Sequence, residues 1–264
     1  MFHTFQDTTF FCSHGFAEYF SSTYDELSEA LVENGYFVFG HDHIGYGRST
    51  GERAIVKTIE EYVLPVLAHV KKVKNDFNCE VPTSIIGHSM GGLITVHAAM
   101  AEPDLFQSIV LMSPLIKIDP KVATPIRKTC GSIFSGFCPS LVIFSNREKV
   151  GVTRDLDAVN GIKEDTLGWH GGIKLGLANV LMKALKSLKK PECLKKITAP
   201  LLVLQGGQDE IVWPEGASFI HDNVASVSKK LLVYEEAYHN LYCELEDVKS
   251  AAIKETCNWI DQHF

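Results

Sequence analysis

Residues 83–92 read Thr83-Ser84-Ile85-Ile86-Gly87-His88-Ser89-Met90-Gly91-Gly92. A short apolar run of β type meets a Gly-x-Ser-x-Gly turn, and an Ala-rich helical stretch follows from Gly92 to about Ala101. Strand, tight turn and helix in that order hold a serine in strained backbone at the carboxyl edge of a sheet. A serine hydroxyl is a weak nucleophile and needs a base beside it. Glycine on both sides of Ser89 leaves the chain room to fold back on itself. The five-residue pattern alone is weak, since ordinary Gly and Ser usage supplies it in roughly one chain of this length in ten. The flanking strand and helix raise its weight and make Ser89 the candidate nucleophile.

Outward from this turn the chain alternates strand-like and helix-like segments. Thr9–Ser13 is a short apolar run ending at His14-Gly15. Thr23-x-x-Glu26 reads as a capping box opening a helix with Leu27, Ala30 and Leu31 on one face, which stops near Gly35. Tyr36–Phe39 is a second strand. Apolar residues from Ile59 to Phe77 keep a helical period, with Pro65 expected to kink that helix or mark a late start. Ser108–Met112, Leu201–Gln205 and Leu231–Tyr234 read as further strands, and a last helix runs from about Leu245 to His263. This order predicts an α/β fold, a mostly parallel sheet with helices on both faces. Residues 117–198 break the rhythm without a clear core strand. They read as a cap inserted between two strands of a single domain spanning 1–264.

The acid and the base follow from the strands. Leu201–Gln205 runs into Gly206-Gly207-Gln208-Asp209, which places Asp209 just past a strand's carboxyl end, where sites form in open α/β sheets. Alone, Asp209 reads as a turn aspartate. His239 follows the strand Leu231–Tyr234 by one loop, and with 11 histidines in the chain it means little alone. The order decides: Ser89, Asp209, His239, each just after a strand, is the chain order of the α/β-hydrolase triad. An oxyanion hole needs two N–H donors. Met90, after the nucleophile, supplies one, and the early loop Ser13-His14-Gly15-Phe16-Ala17 supplies the other, from Phe16.

Composition bounds the rest. With 264 residues, 25 Lys+Arg, 32 Asp+Glu and a net charge of -7, the chain has no basic face, so no nucleic-acid partner is expected. His41-x-His43 has neither the spacing of a zinc helix motif nor that of a finger, and Gly45-x-Gly47 lacks the third glycine of a dinucleotide loop, so neither a metal nor a cofactor is expected. The 7 scattered cysteines, the absence of a basic segment or long apolar core at Met1-Phe2-His3-Thr4, and the lack of an Asn-x-Ser/Thr sequon point to a cytoplasmic location. The apolar cluster Ile133, Phe134, Phe137, Cys138, Leu141, Val142, Ile143 and Phe144 is either cap core or an apolar lip for an acyl chain touching a membrane.

The sequence resembles the monoacylglycerol lipase family, including its shortened poxvirus relatives. The resemblance rests on Ser13-His14-Gly15, on His41–Ser49 with Gly51-Glu52-Arg53, on Gly87–Gly92, on Val110–Leu115, on Leu204-Gln205-Gly206 and on Tyr234–His239. It implies a serine hydrolase that cleaves monoacylglycerols to fatty acid and glycerol. The implied triad is Ser89, Asp209 and His239, and the implied oxyanion donors are Phe16 and Met90. Contacts to substrate are expected from His14, Gly15, His88, Phe134 and Phe137, and peripheral membrane contact from the cap. Three departures stand out. The strand pair that opens family members is expected to be missing, which would leave an unpaired sheet edge. Phe16 replaces a small residue, so its ring would narrow the site. The cap diverges most. A lysophospholipase, a short-chain esterase or an inactive lipid-binding or host-interacting remnant are the alternatives at this point.

Overall fold

The carboxyl ends of the strands decide where this molecule can do chemistry. The structure is a computed structural model that describes residues 8–76, 81–118, 138–144 and 151–264. Among these residues six strands form one parallel sheet: β1 (Thr9–Ser13), β2 (Phe37–Gly40), β3 (Thr83–His88), β4 (Ser108–Met112), β7 (Leu201–Gly206) and β8 (Lys229–Tyr234), in the order β2-β1-β3-β4-β7-β8. The four inner strands, β1, β3, β4 and β7, are buried along their whole length. This is why they read as unbroken apolar runs rather than as alternating ones. Register places Ser13 opposite Gly87, and His88 opposite Met112. The loops after β1 and β3 therefore leave the sheet side by side, and those after β7 and β8 leave it at the same edge, with Gly206 opposite Tyr234.

Side chains two apart along a strand share a face, and both faces are covered. Phe11, Ile85, Leu111 and Val203 pack with α3 (Glu60–Asp76) and α4 (Met90–Ala101) through Tyr62, Val66, Leu93 and Ile94. Phe10, Cys12, Ile86, Val110 and Leu202 pack on the other face against Leu27 and Leu31 of α2 (Asp25–Glu33) and Trp259 and Ile260 of α9 (Glu246–Asp261). The expected two-sided parallel sheet is what the structure contains.

Local details differ from expectation. Thr23 is buried at the end of a single turn, α1 (Phe20–Thr23), and caps nothing; the N-cap of α2 is Tyr24, without a side-chain cap. Glu26 reaches Lys249 of α9 instead, at 2.8 Å. Pro65 neither delays nor ends α3, which begins at Glu60; it stands on the exposed side of the second turn, where water can take the carbonyl its missing N–H leaves free. Helix α4 starts at Met90 rather than Gly92, because Ser89 itself is the N-cap.

Between β4 and β7 lie β5 (Val142–Phe144), α5 (Leu156–Glu164), β6 (Ile173–Lys174), α6 (Leu175–Ser187) and α7 (Pro191–Leu194). β5 and β6 pair antiparallel as a separate two-stranded sheet. Leu177, Val180, Leu181, Ala184 and Leu185 of α6 join the same core as α3 and α4. The expectation that all of 117–198 caps the fold therefore fails for its last third: an amphipathic helix with five inward leucine, valine and alanine side chains gains more by burying that face in the core, beside His97 of α4. α8 (Glu215–Asn223) completes that layer through Ile220. Phe134 and Phe137, expected at the substrate, lie outside the described residues.

Candidate active site

Ser89 sits at φ 53° and ψ -115°, left-handed backbone on a residue with a side chain. Such a conformation costs on the order of 1–3 kcal/mol and persists only where its surroundings over-determine it. Here the Ser89 N–H donates to Met112 O at 3.1 Å, and its carbonyl accepts from Leu93 N and from Leu115 N at 2.9 Å. Two residues later the turn runs against the end of β1 so closely that a Cβ on Gly91 would overlap Ser13 O. Met90 opens α4, so its N–H is one of the unpaired donors at a helix N-terminus.

Asp209 and His239 are brought together from the ends of β7 and β8. His239 Nδ1 lies 2.7 Å from Asp209 Oδ2, with both side chains buried. Asp209 Oδ1 accepts from Ile211 N at 2.8 Å and Val212 N at 3.0 Å, and Oδ2 accepts a further bond from Gln205 Nε2 at 3.0 Å. Burial alone would raise this carboxyl; the charge and hydrogen bond of His239 and the two N–H groups outweigh it and hold the group below its ordinary range. An ionised Asp209 makes His239 Nδ1 the donor, which leaves Nε2 as the basic nitrogen. The two loops interlock: Gly207 N donates to Tyr234 O and Gln208 N to Ala237 O, and a Cβ on Gly206 would overlap Tyr238 O.

The loop after β1 faces Ser89. A Cβ on Gly15 would stand 3.2 Å from Ser89 Cβ. Glu18 Oε2 accepts from Gly15 N at 2.7 Å and lies 3.0 Å from His88 Nδ1. Burial pushes the Glu18 carboxyl up, but the charge and hydrogen bond of His88, with the Gly15 N–H, prevail and bring it down to about 2. The His88 ring in turn lies 4.8 Å from that of His239. The Phe16 ring packs edge-on against Tyr46, with centroids 6.0 Å apart. His14, expected to touch substrate, does not face the site. It is fully buried, with one ring nitrogen on His43 N and the other on Gly15 O. His88 is likewise buried and engaged by Glu18.

Three residues of this arrangement were given no place at the site from sequence: Glu18, Gln205 and Glu244. Glu244 has no exposed side-chain surface and accepts from Tyr238 N, Arg154 N, Arg154 Nε and Leu245 N. It ties the residue before His239 to the segment 151–154, whose Gly151 O and Val152 O accept from His239 N and Asn240 N. The available signal was a carboxylate set among apolar neighbours, Phe16-Ala17-Glu18-Tyr19 and Tyr242-Cys243-Glu244-Leu245.

A family model described as serine aminopeptidase, S33 matches residues 6–246. A monoglyceride lipase homolog of Monkeypox virus is 36% identical over 97% of this chain and 90% of its own length. This chain belongs to the monoglyceride lipase family. Within that family, the monoglyceride lipase of Rattus norvegicus is 33% identical over 96% of this chain and 82% of its own. Two solved structures carry the fold: a monoacylglycerol lipase of Paleococcus ferrophilus, with TM-score 0.85 and 24% identity over 97% of this chain and 95% of that one, and a soluble variant of the Saccharomyces cerevisiae monoglyceride lipase bound to a substrate analog, with TM-score 0.87 and 21% identity over 98% and 88%. A monoglyceride lipase-family chain is thereby an α/β hydrolase, as the residues alone implied.

Proposed function

We propose that this protein hydrolyses the ester of monoacylglycerols to a fatty acid and glycerol, with Ser89 as nucleophile, His239 as general base and acid, and Asp209 as the group that orients His239. The observation that carries the reading is Ser89 held at positive φ just past β3, with a buried, hydrogen-bonded Asp209–His239 pair delivered past β7 and β8 at the same edge of the parallel sheet. Membership of a family whose relatives are named monoglyceride lipases supports the substrate.

Ser89 Oγ attacks the ester carbonyl as His239 Nε2 takes its proton. The charge that develops on the carbonyl oxygen is met by the N–H groups of Phe16 and Met90, each worth on the order of 3 kcal/mol in the transition state. Collapse of the tetrahedral species breaks the bond to glycerol, which leaves with the proton from His239. Water then gives a proton to the same nitrogen and attacks the acyl-serine ester; as the bond to Ser89 Oγ breaks, that proton passes from His239 to Ser89 Oγ, and the fatty acid is freed. Throughout, Asp209 stays ionised and steadies the imidazolium.

Apolar residues at the start of β5 and just before it support a peripheral membrane contact. Leu141, Val142 and Ile143 are exposed by 55%, 45% and 38%, three neighbours of a kind that water disfavours.

Ser89→Ala tests the assignment. The variant folds, loses turnover of a monoacylglycerol and loses labelling by a fluorophosphonate; retained turnover overturns the reading. A panel of monoacylglycerols, lysophospholipids and short-chain esters tests the substrate, with the highest kcat/KM expected on the monoacylglycerols.

A further inference from the structure

The loop between β1 and α1 is held at three of its peptides. Gly15 N donates to Glu18 Oε2 at 2.7 Å, Gly15 O lies 2.9 Å from His14 Nδ1, and Ala17 O accepts from Trp169 N at 3.0 Å. Ala17 pays for the tightness of this loop with φ 69°. The middle bond is the informative one, because its direction follows from the ring's other nitrogen. His43 N–H points at His14 Nε2 at 2.8 Å, and a backbone amide can only donate. Nε2 is therefore the acceptor and carries no proton. In a neutral imidazole the proton is then on Nδ1, which donates to Gly15 O. Burial among His43 and Tyr46 favours that neutral form and lowers the ring's pKa, against the opposing pull of the Gly15 carbonyl, Glu18 and Asp42.

A trans peptide is planar, with C=O and N–H pointing to opposite sides. The peptide that carries Gly15 O also carries Phe16 N–H. Pinning the carbonyl on one side therefore sets the direction of the N–H on the other. We infer that His14 is the positioning residue of the oxyanion hole: its Nδ1–H, fixed by the His43 amide at Nε2, turns the Gly15–Phe16 peptide so that Phe16 N–H faces the carbonyl oxygen under attack at Ser89. This rests on the catalytic reading given above. It also explains why a histidine stands there, since one rigid ring supplies a donor at δ and an acceptor at ε.

Two variants each keep one half of the ring's function. His14→Asn places an amide near the δ position and can still donate to Gly15 O. His14→Gln places its amide near the ε position, can still accept from His43 N, and leaves Gly15 O without its donor. Each variant loses one hydrogen bond, so a role in stability alone moves both alike. The expected result is a kcat lowered on the order of 10²-fold or more in His14→Gln with KM within about threefold, in line with the loss of one oxyanion donor, and a kcat within about tenfold of the unsubstituted protein in His14→Asn. Equal kcat values in the two, a lower value in His14→Asn, or an effect confined to KM overturns the inference. The unsubstituted protein gives a second test that needs no variant: ¹⁵N chemical shifts of the His14 ring report Nδ1 protonated and Nε2 bare, and the opposite tautomer overturns the inference. Turnover by Ser89→Ala sinks the catalytic reading itself; its loss in Ser89→Ala, with identical Asn and Gln variants at position 14, sinks only the role of His14.

Discussion

The carbonyl oxygen of Tyr238 occupies the place where a side chain on Gly206 would begin. The turn that delivers Asp209 and the loop that delivers His239 are thus pressed backbone to backbone, and the 2.7 Å bond between the two side chains depends on that contact. Gly206→Ala forces the two loops apart. The expected outcome is a kcat loss of about 10²-fold, since a misplacement near 1 Å costs that much, together with a lower Tm. Steady-state kinetics and a thermal melt check it, and unchanged kcat removes the coupling.

Asp209→Asn keeps the shape of the acid and removes its charge. The amide no longer dictates which nitrogen of His239 carries the proton, so the basic nitrogen turns away from Ser89 part of the time. A kcat drop on the order of 10⁴-fold is expected, as for the orienting acid of other serine triads. Fluorophosphonate labelling slows in parallel, and normal labelling rates would contradict the role.

Glu244→Gln tests the strap behind His239. The amide presents N–H groups to a set of donors that a carboxylate had satisfied, so one of the Tyr238, Leu245 and Arg154 bonds is lost and a donor faces a donor. Removal of one partner from a buried charged pair costs roughly 3–5 kcal/mol. A Tm lowered by several degrees and a kcat lowered by tenfold or more are expected. Calorimetry and kinetics on the same sample separate the two effects.

Acid acts on a line of buried and half-buried histidines. His14, His43, His41 and His69 succeed one another, with ring centroids 4.2, 5.4 and 5.4 Å apart. Burial lowers the pKa of each, and for His41 burial with the neighbouring His69 brings it to about 4. A group neutral in the fold and protonated in the unfolded chain gives stability that is complete above the ordinary value near 6.5 and drains away as the pH falls toward the folded value. For His41 the full effect is about 3 kcal/mol. Tm is expected to fall steadily between pH 6.5 and about 4, and His41→Leu flattens part of that slope. Glu18 and Asp209 act lower: their pKa values are depressed, so their contribution is present above the ordinary carboxylate range and is lost as the pH drops through their folded values. A Tm independent of pH between 7 and 5 refutes the histidine account.

The exposed apolar residues 141–143 make a separate prediction. Leu141→Asp with Ile143→Asp places two charges where an apolar surface meets lipid headgroups. Co-sedimentation with phosphatidylcholine vesicles is expected to fall severalfold, while turnover of a water-soluble short-chain ester stays within about twofold. Unchanged vesicle binding assigns the contact elsewhere.

The elements that announced themselves in the sequence are those whose signal is short-range. Ile85-Ile86 and Leu201–Leu204 are apolar on every residue because both faces are covered, and Ser89, Asp209 and His239 follow strands at one sheet edge. What stayed hidden depends on distant partners. Thr23 and Glu26 have the spacing of a capping box, yet Glu26 pairs across 223 residues with Lys249. Glu18 serves Gly15 three residues away, but its second partner is His88, 70 residues on. His14 looked like a substrate contact because it adjoins the site in sequence, and only the fold reveals that both nitrogens are already taken. The α6 helix read as part of an insertion because no strand accompanies it, although its apolar face belongs to the core.

The bond from Trp169 N to Ala17 O joins the segment between β4 and β7 to the loop beside Ser89, and it is made wholly of main chain. Any amino acid except proline can supply that N–H. The indole at 169 has partners of its own, Gly172 O at 2.8 Å and Lys174 Nζ 5.3 Å from the ring, but the bond to Ala17 O does not use it, whereas a single proline there unties it. Two relatives that share no letter in this stretch can still share the fastening, and a comparison of letters alone passes over it.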